Sequence, residues 1–431
     1  MRKKAAKVKH GEWFRLDNAA NIYPAIISAK WSPNFRFSAT LRDEVDKEVL
    51  LAALKKCLPR CKNFSLVLKK GFFWHYLEVS DKEPVISDEV GNPMRVITKK
   101  DNSGYMFRVC CYKNRIALEV MHVIADGTGG VTFLRTLVAE YLRMKCNAPI
   151  PYDAPGLVNL KSPADPEEME DSFRKYSRFK TRKSRNESKA YWVKGPRHPY
   201  GQVSIITGRI PTQKLSEKAK EYGATITEFI ASLIIYVMYL HQKAENPRKE
   251  LAVKASVPVN LRKFYPSKTL RNFSMFVNPG IEPRYGDYSF DEVVSDVHHF
   301  MRMNIKEKYL NAVMSSNLAD ELNPFVRIMP LPLKNFVLST VYKFVGETRF
   351  STDLSNIGQI ILPDEMKKYV VDMDFMLAAP NGIGFAMGIL GYNDSVNITF
   401  SSALIDKSCQ REFFRQLVKM GVPVKIESNH S

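Results

Sequence analysis

Six cysteines in 431 residues, at 57, 61, 110, 111, 146 and 409, form no paired C-x-x-C and no zinc-ligand spacing. Cys57 and Cys61 are four apart, but Pro59 interrupts the helix and no histidine pair accompanies them. No disulfide framework and no metal site is expected, and the thiols read as reduced, in a cytoplasmic compartment. Long apolar runs are missing too. The most apolar stretch, Phe229 to Leu240, is too short to span a bilayer and reads as a buried helix. The basic start, Met1 to His10, has no apolar run after it and does not read as a secretory signal. Acidic residues are in deficit: 45 Asp and Glu against 64 Lys and Arg leave a net charge of +19 with histidine neutral. Such an excess suits polyanionic partners. The densest basic run, Arg174 to Lys189, is interleaved with Phe173, Tyr176 and Phe179, but no nucleic-acid motif accompanies it. It reads as a solvated face or linker, and nucleic acid is not an expected partner. No internal repeat is evident.

What is present is enough apolar material, 45% of residues, for real cores, and enough length for two domains of ordinary size. Prolines are dense at 149, 151, 155, 163 and 166, just before the basic run. This places a linker at about 147–195, between an N-terminal half, 1–195, and a C-terminal half, 196–431. Both halves mix strands and helices. In the first, strands are predicted at Phe35–Thr40, Phe64–Leu68, Phe73–Val79 and Phe107–Cys111, with a helix over Asp43–Leu58. In the second, Val203–Ile210, Lys254–Val259 and Ser274–Val277 read as strands. Thr225-x-x-Glu228 and Ser289-x-x-Glu292 are capping boxes ahead of apolar helices. His298 and His299 fall on the second of these and read as structural or exposed. Residues 324–345, apolar with scattered lysines, read as a packed helix pair, with contact to a lipidic acceptor or a membrane surface as the alternative. Val370–Phe375, Ile383–Gly391 and Val396–Ser401 read as antiparallel strands with a turn at Asn393-Asp394.

One string stands out: His122-Val123-Ile124-Ala125-Asp126-Gly127. Strand formers from Arg115 to Met121 precede it. Apolar residues at helical spacing follow, at Val131, Leu134, Leu137, Val138, Tyr141 and Leu142. The histidine sits where a strand ends and the aspartate near a helix start. A neutral imidazole there can take a proton from a hydroxyl, amine or thiol. Asp126 could hold the loop, by pairing with a buried arginine or by capping the helix. Gly127 would permit a backbone angle that other residues resist. The bland alternative is a satisfied structural histidine beside a helix cap. Gly127-Thr128-Gly129-Gly130 lacks both G-x-G-x-x-G and the Gly-Lys-Ser/Thr ending of a phosphate loop.

His-x-x-x-Asp-Gly resembles the signature of the CoA-dependent acyltransferase superfamily, which includes chloramphenicol acetyltransferase, condensation domains of peptide synthetases and alcohol acetyltransferases. Three further stretches match in order. Residues Ala219 to Ile230 resemble the helix that opens the second half. Val257-Pro258-Val259-Asn260-Leu261-Arg262 with Arg271-Asn272-Phe273 resembles the "P-V-(N/D)-L-R … (G)-N" block. Ser355-Asn356-Ile357-Gly358 with Pro363 resembles the "S-N-(I/L)-G" segment of the alcohol acetyltransferase branch. Leu16-Asp17, Leu51 to Leu58 and Gly71 to Leu77 fit that branch too. Met121 replaces the first of the two adjacent histidines usual in condensation domains, the Asp-Phe-Gly-Trp-Gly block of plant enzymes is absent, and Arg271 stands where a glycine is usual. The resemblance implies two chloramphenicol-acetyltransferase-like subdomains, each a largely antiparallel mixed sheet with packed helices (a mixed α/β, α+β fold), meeting at a tunnel. It implies His122 as general base and a structural Asp126 with Arg262 as the candidate partner. Ser355, Asn356 and Asn272 are the polar candidates near substrate. It implies acyl transfer from acyl-CoA, a substrate and not a bound cofactor, to an alcohol or amine, without an acyl-enzyme. A carrier-protein donor, or a non-catalytic carrier-binding module, is the alternative.

Overall fold

The structure, a computed structural model, describes residues 11–28, 31–89, 92–98, 100–178, 183, 187–199, 201–379 and 382–429. Most of the basic run around 179–186 lies outside them, as does the N-terminal decapeptide. Three sheets organise the described residues. A five-stranded sheet holds Asn34–Leu41, Arg115–Met121 and Phe107–Tyr112, antiparallel in that order, with Ile86–Asp88 parallel at one edge. An eight-stranded sheet holds most strands of the second half. There Thr352–Ile360 runs parallel to both its neighbours, Val253–Asn260 and Phe385–Tyr392, while the other pairings are antiparallel. A three-stranded sheet carries the hairpin Leu66–Lys70 and His75–Val79 with Trp13–Arg15. The predicted mixed, largely antiparallel architecture is present.

Local chemistry accounts for the boundaries. Asp46 caps the helix Lys47–Cys57 through hydrogen bonds from the backbones of Glu48 and Val49. Thr225 and Ser289 close both predicted capping boxes, on Ile226–Ala244 and Phe290–Asn304. The helix Gly127–Cys146 stops at Asn147, which adopts the left-handed conformation (φ 48°, ψ 34°). Asn393 (φ 49°) makes the predicted turn between Phe385–Tyr392 and Ser395–Ser402. All six cysteines are free thiols, and all but the half-buried Cys146 are buried.

Four expectations need correction. The strand predicted at Phe64–Leu68 starts at Leu66, because Lys62–Ser65 forms a 3-10 turn. Val370–Leu377 does not pair with the strands that follow it. It crosses to the first half and pairs antiparallel with Asn34–Leu41, and Leu362, Met366, Met373 and Phe375 join the first half's core. A division at 195 therefore leaves the first sheet one strand short. Residues 324–345 do form helices, Pro324–Ile328 and Leu331–Val341, but they are not a packed pair. Phe325, Ile328, Leu333, Phe336 and Val341 face outward, because the apolar residues outnumber the positions that meet the body. Finally, the helices Thr212–Glu221 and Glu307–Leu322 were not anticipated; half of the first is charged and the second carries no strong apolar stripe.

Candidate active site

His122 follows the central strand of the first sheet, and its backbone N–H donates to Pro33 (3.0 Å). The ring is half-buried, held between Tyr23, stacked on it at 5.3 Å, and Phe35, tilted against it at 4.6 Å. Nδ1 faces Asn272 Oδ1 at 3.5 Å. The Asn272 amide is itself oriented. Its Nδ2 donates to Asp17 Oδ2 (3.1 Å) and to the His122 carbonyl (2.8 Å), so its oxygen is the atom left for the ring. An amide oxygen only accepts, so this contact places the ring proton on Nδ1 and leaves the lone pair on Nε2. Burial pushes the imidazole below its ordinary value, opposed by Asn272, Asp126 and the Ala125 backbone. Such a ring stays neutral near pH 7, as a base must.

Asp126 is buried and fully engaged. Oδ1 accepts from the Gly129 backbone (3.1 Å) and caps the helix. Oδ2 accepts from Arg262 (2.7 Å) and from the Phe273 backbone (2.8 Å), both in the second half. Arg262 spends its remaining donors on Asn260 Oδ1 and the carbonyls of Thr269 and Arg271. Its guanidinium thus locks the loop rather than facing a ligand.

Gly127 corrects an expectation. It opens the helix without a positive φ, and a Cβ there would meet Ile357 Cδ1 at 2.7 Å. The next glycines are more demanding. A Cβ at Gly129 would lie 2.1 Å from the Leu270 carbonyl oxygen, and one at Gly130 would lie 2.5 Å from the Phe35 ring. Gly127 and Gly129 serve close packing between the halves, and Gly130 close packing on the first sheet.

The other candidates separate. Asn356 is occupied, donating to Thr227 (2.8 Å) and accepting from the Gly358 backbone (2.8 Å). Ser355 lies on the opposite face of the same strand, with Asp353 and with Ile357, which reaches Gly127. Its hydroxyl makes no side-chain hydrogen bond among the described residues. Arg271 is buried against Asp17 (3.6 Å) and donates to the Arg15 carbonyl (2.6 Å), so it ties the second half to the N-terminal segment. His298 faces Glu228 (3.4 Å) and His299 faces its own helix at Ser295, apart from His122. In the basic run, Arg174 pairs with Asp171 and Glu321, and Lys175 with Glu170, while Phe173 is buried.

Three residues of the site escaped sequence reasoning as site residues: Asp17, Tyr23 and Asp353. Asp17 was visible only as part of a family pattern. Burial, partly offset by Arg271, raises its carboxyl to about 6. Burial raises Asp353 to about 7. Tyr23 carries no local signal, because only tertiary packing stacks it on the histidine.

No protein-family model matches the chain, and no curated protein matches it. Solved structures do, at low identity. Polyketide synthase associated protein 5 from Mycobacterium tuberculosis superposes with a TM-score of 0.60 at 14% identity, covering 95% of this chain and 98% of that one. Trichothecene 15-O-acetyltransferase from Fusarium sporotrichioides gives 0.60 at 11%, covering 97% and 96%. The starter condensation domain of rhizomide synthetase, solved with C8-CoA and Leu-SNAC, gives 0.58 at 12%, covering 95% and 94%.

Proposed function

We propose that this chain, which has the fold of the CoA-dependent acyltransferases and condensation domains, moves an acyl group from an acyl-CoA thioester to an alcohol or amine. The observation that supports this reading is the neutral imidazole at the seam of the two halves, its Nδ1 turned to Asn272 and its Nε2 left as the base. Nε2 takes the acceptor's O–H or N–H proton as that atom bonds to the thioester carbonyl carbon. The tetrahedral intermediate then breaks its C–S bond, and the imidazolium returns the proton to the departing thiolate. Acyl-acceptor and free thiol result, with no acyl-enzyme; holding both substrates together supplies much of the rate. Ser355 is the donor we assign to the developing oxyanion, since Asn272 and Asn356 are committed elsewhere.

The likeness to condensation domains supports a second reading, in which the donor is an acyl carrier protein, and the charge of +19 suits an acidic carrier. The test is free-thiol release from acetyl-CoA and longer acyl-CoAs with pooled alcohols and amines. His122→Ala is expected to lower acceptor-dependent release by about 10²–10⁴-fold. Equal release from both proteins overturns the role of His122. Silence from both, with turnover restored by acyl carrier protein, selects the second reading.

A further inference from the structure

The apolar residues that residues 324–346 fail to bury do not scatter over the surface. The helix Leu331–Val341 is fastened to the tip of the hairpin Leu66–Lys70/His75–Val79. Leu331 N–H donates to the Phe72 carbonyl (2.9 Å), and the buried Lys334 donates to the Phe73 carbonyl (2.7 Å) and lies 3.3 Å over the Trp74 ring. Phe72 (73% exposed) and Phe73 therefore join Phe336 (69%), Leu333 and Val337 in one outward apolar face, which Phe325 and Ile328 extend along the preceding turn. An exposed apolar face of this kind on a single chain marks a contact surface.

Charge selects the occupant. Residues 324–346 contain no Asp or Glu, and their cations are Arg327, Lys334 and Lys343. Lys70 flanks the aromatic hairpin tip, while Lys69 beside it pairs with Glu78 (3.1 Å). Beside the face lies a cavity of about 520 Å³ whose lining includes Trp13, Arg15, Trp74 and Arg327, together with Glu321, which is paired with Arg174. Neither the Arg15 nor the Arg327 guanidinium has a carboxylate partner among the described residues. Lys334 is taken up by Phe73 and Trp74, but aromatic and aliphatic side chains flanked by the exposed Arg15, Lys70, Arg327 and Lys343 match an interface of acyl chains under anionic headgroups. Among the described residues no single helix is long and apolar enough to cross a membrane.

We propose that this face docks the protein on an anionic phospholipid bilayer. Its place in the fold gives the docking a consequence, which rests on the acyl-transfer reading above. The helix Leu331–Val341 packs on the short helix Tyr23–Ile26, whose Tyr23 stacks on His122. The docked face then lies one layer from the base, where a lipid-borne acceptor enters.

The test is co-sedimentation of the full chain with mixed phosphatidylcholine–phosphatidylglycerol vesicles and with pure phosphatidylcholine vesicles. Binding to the mixed vesicles, weakened by salt, is expected. It should fall about tenfold or more in the double variant Phe72→Ser/Phe336→Ser, at unchanged Tm. His122→Ala is expected to bind as the wild type does, so the docking face and the acyl-transfer reading fail separately. The proposal is overturned by no binding to either vesicle, or by binding that the double variant retains. It is equally overturned by a wild-type dimer in sedimentation velocity that the double variant converts to monomer, which would assign the face to a second copy.

Discussion

At the scale of single residues, Asp126 and His122 divide the work that their shared motif suggests. Asp126 is consumed by structure: it holds a helix start, an arginine and a backbone amide across two halves. Removing it as Asp126→Ala leaves the half-buried guanidinium of Arg262 without its carboxylate, a change that costs about 3–5 kcal/mol in buried pairs. A large fall in Tm, measured by differential scanning fluorimetry, is the expected outcome, and an unchanged Tm contradicts the role. In the proposed reaction His122 carries the chemistry, and its environment sets the pH at which it works. Because burial lowers its proton affinity, the acid limb of kcat/KM is expected below the ordinary imidazole value of about 6.5. The Asn272 contact opposes that shift, so Asn272→Leu should move the limb to still lower pH while reducing kcat, through loss of the tautomer. Stability follows the same sign. As pH falls through the ordinary value, the unfolded chain takes a proton that the folded ring resists, so this group withdraws stability on acidification.

At the scale of elements, the glycines at the helix start carry the clearest prediction. Helix Gly127–Cys146 presses its first turn on the Leu270 carbonyl and on Phe35. Gly129→Ala puts a methyl 2.1 Å from that backbone oxygen, which no side-chain rotation can relieve. The expected result is destabilisation of about 1–3 kcal/mol, read from urea melts, with activity lost as the halves part. Elements of this kind were partly legible beforehand. Both capping boxes, the strand before His122 and the turn at Asn393 follow from local chemistry that operates within a few residues. The helix Thr212–Glu221 is amphipathic, with Leu215 and Ala219 inward one turn apart and polar and charged residues over the rest, so its period was there to be read. Residues 324–345 misled in the opposite direction, because apolar content reports a preference for leaving water and not which surface supplies the shelter.

At the scale of the whole molecule, the two halves are interlocked. Val370–Leu377 completes the first sheet from within the second half, and Arg271 and Asn272 reach back to Asp17 and His122. A fragment ending at residue 195 therefore leaves Asn34–Leu41 with an open edge and the core without Met373 and Phe375. Such a fragment is expected to be insoluble or aggregated, as an uncovered apolar strand edge is. A monodisperse, cooperatively melting fragment would show that the exchange is not required. The candidate site has the same dependence: His122 comes from the first half, and the residue facing its Nδ1 and the partner of Asp126 come from the second.

By itself the sequence determined what short-range chemistry can specify: a base and a carboxylate four residues apart at a strand-to-helix junction, the helix caps, and the resemblance that names Arg262 as the partner of Asp126. Only the tertiary structure decided what needs contacts across more than a hundred residues. It stacked Tyr23 on the histidine, buried Asp17, raised the Asp353 carboxyl by desolvation, committed Asn356 to Thr227 and sent Val370–Leu377 into the other sheet. The physical reason is range. Caps, turns and hydrophobic period act between near neighbours in the chain, whereas desolvation, ring stacking and strand partnership depend on which distant segments share the same space.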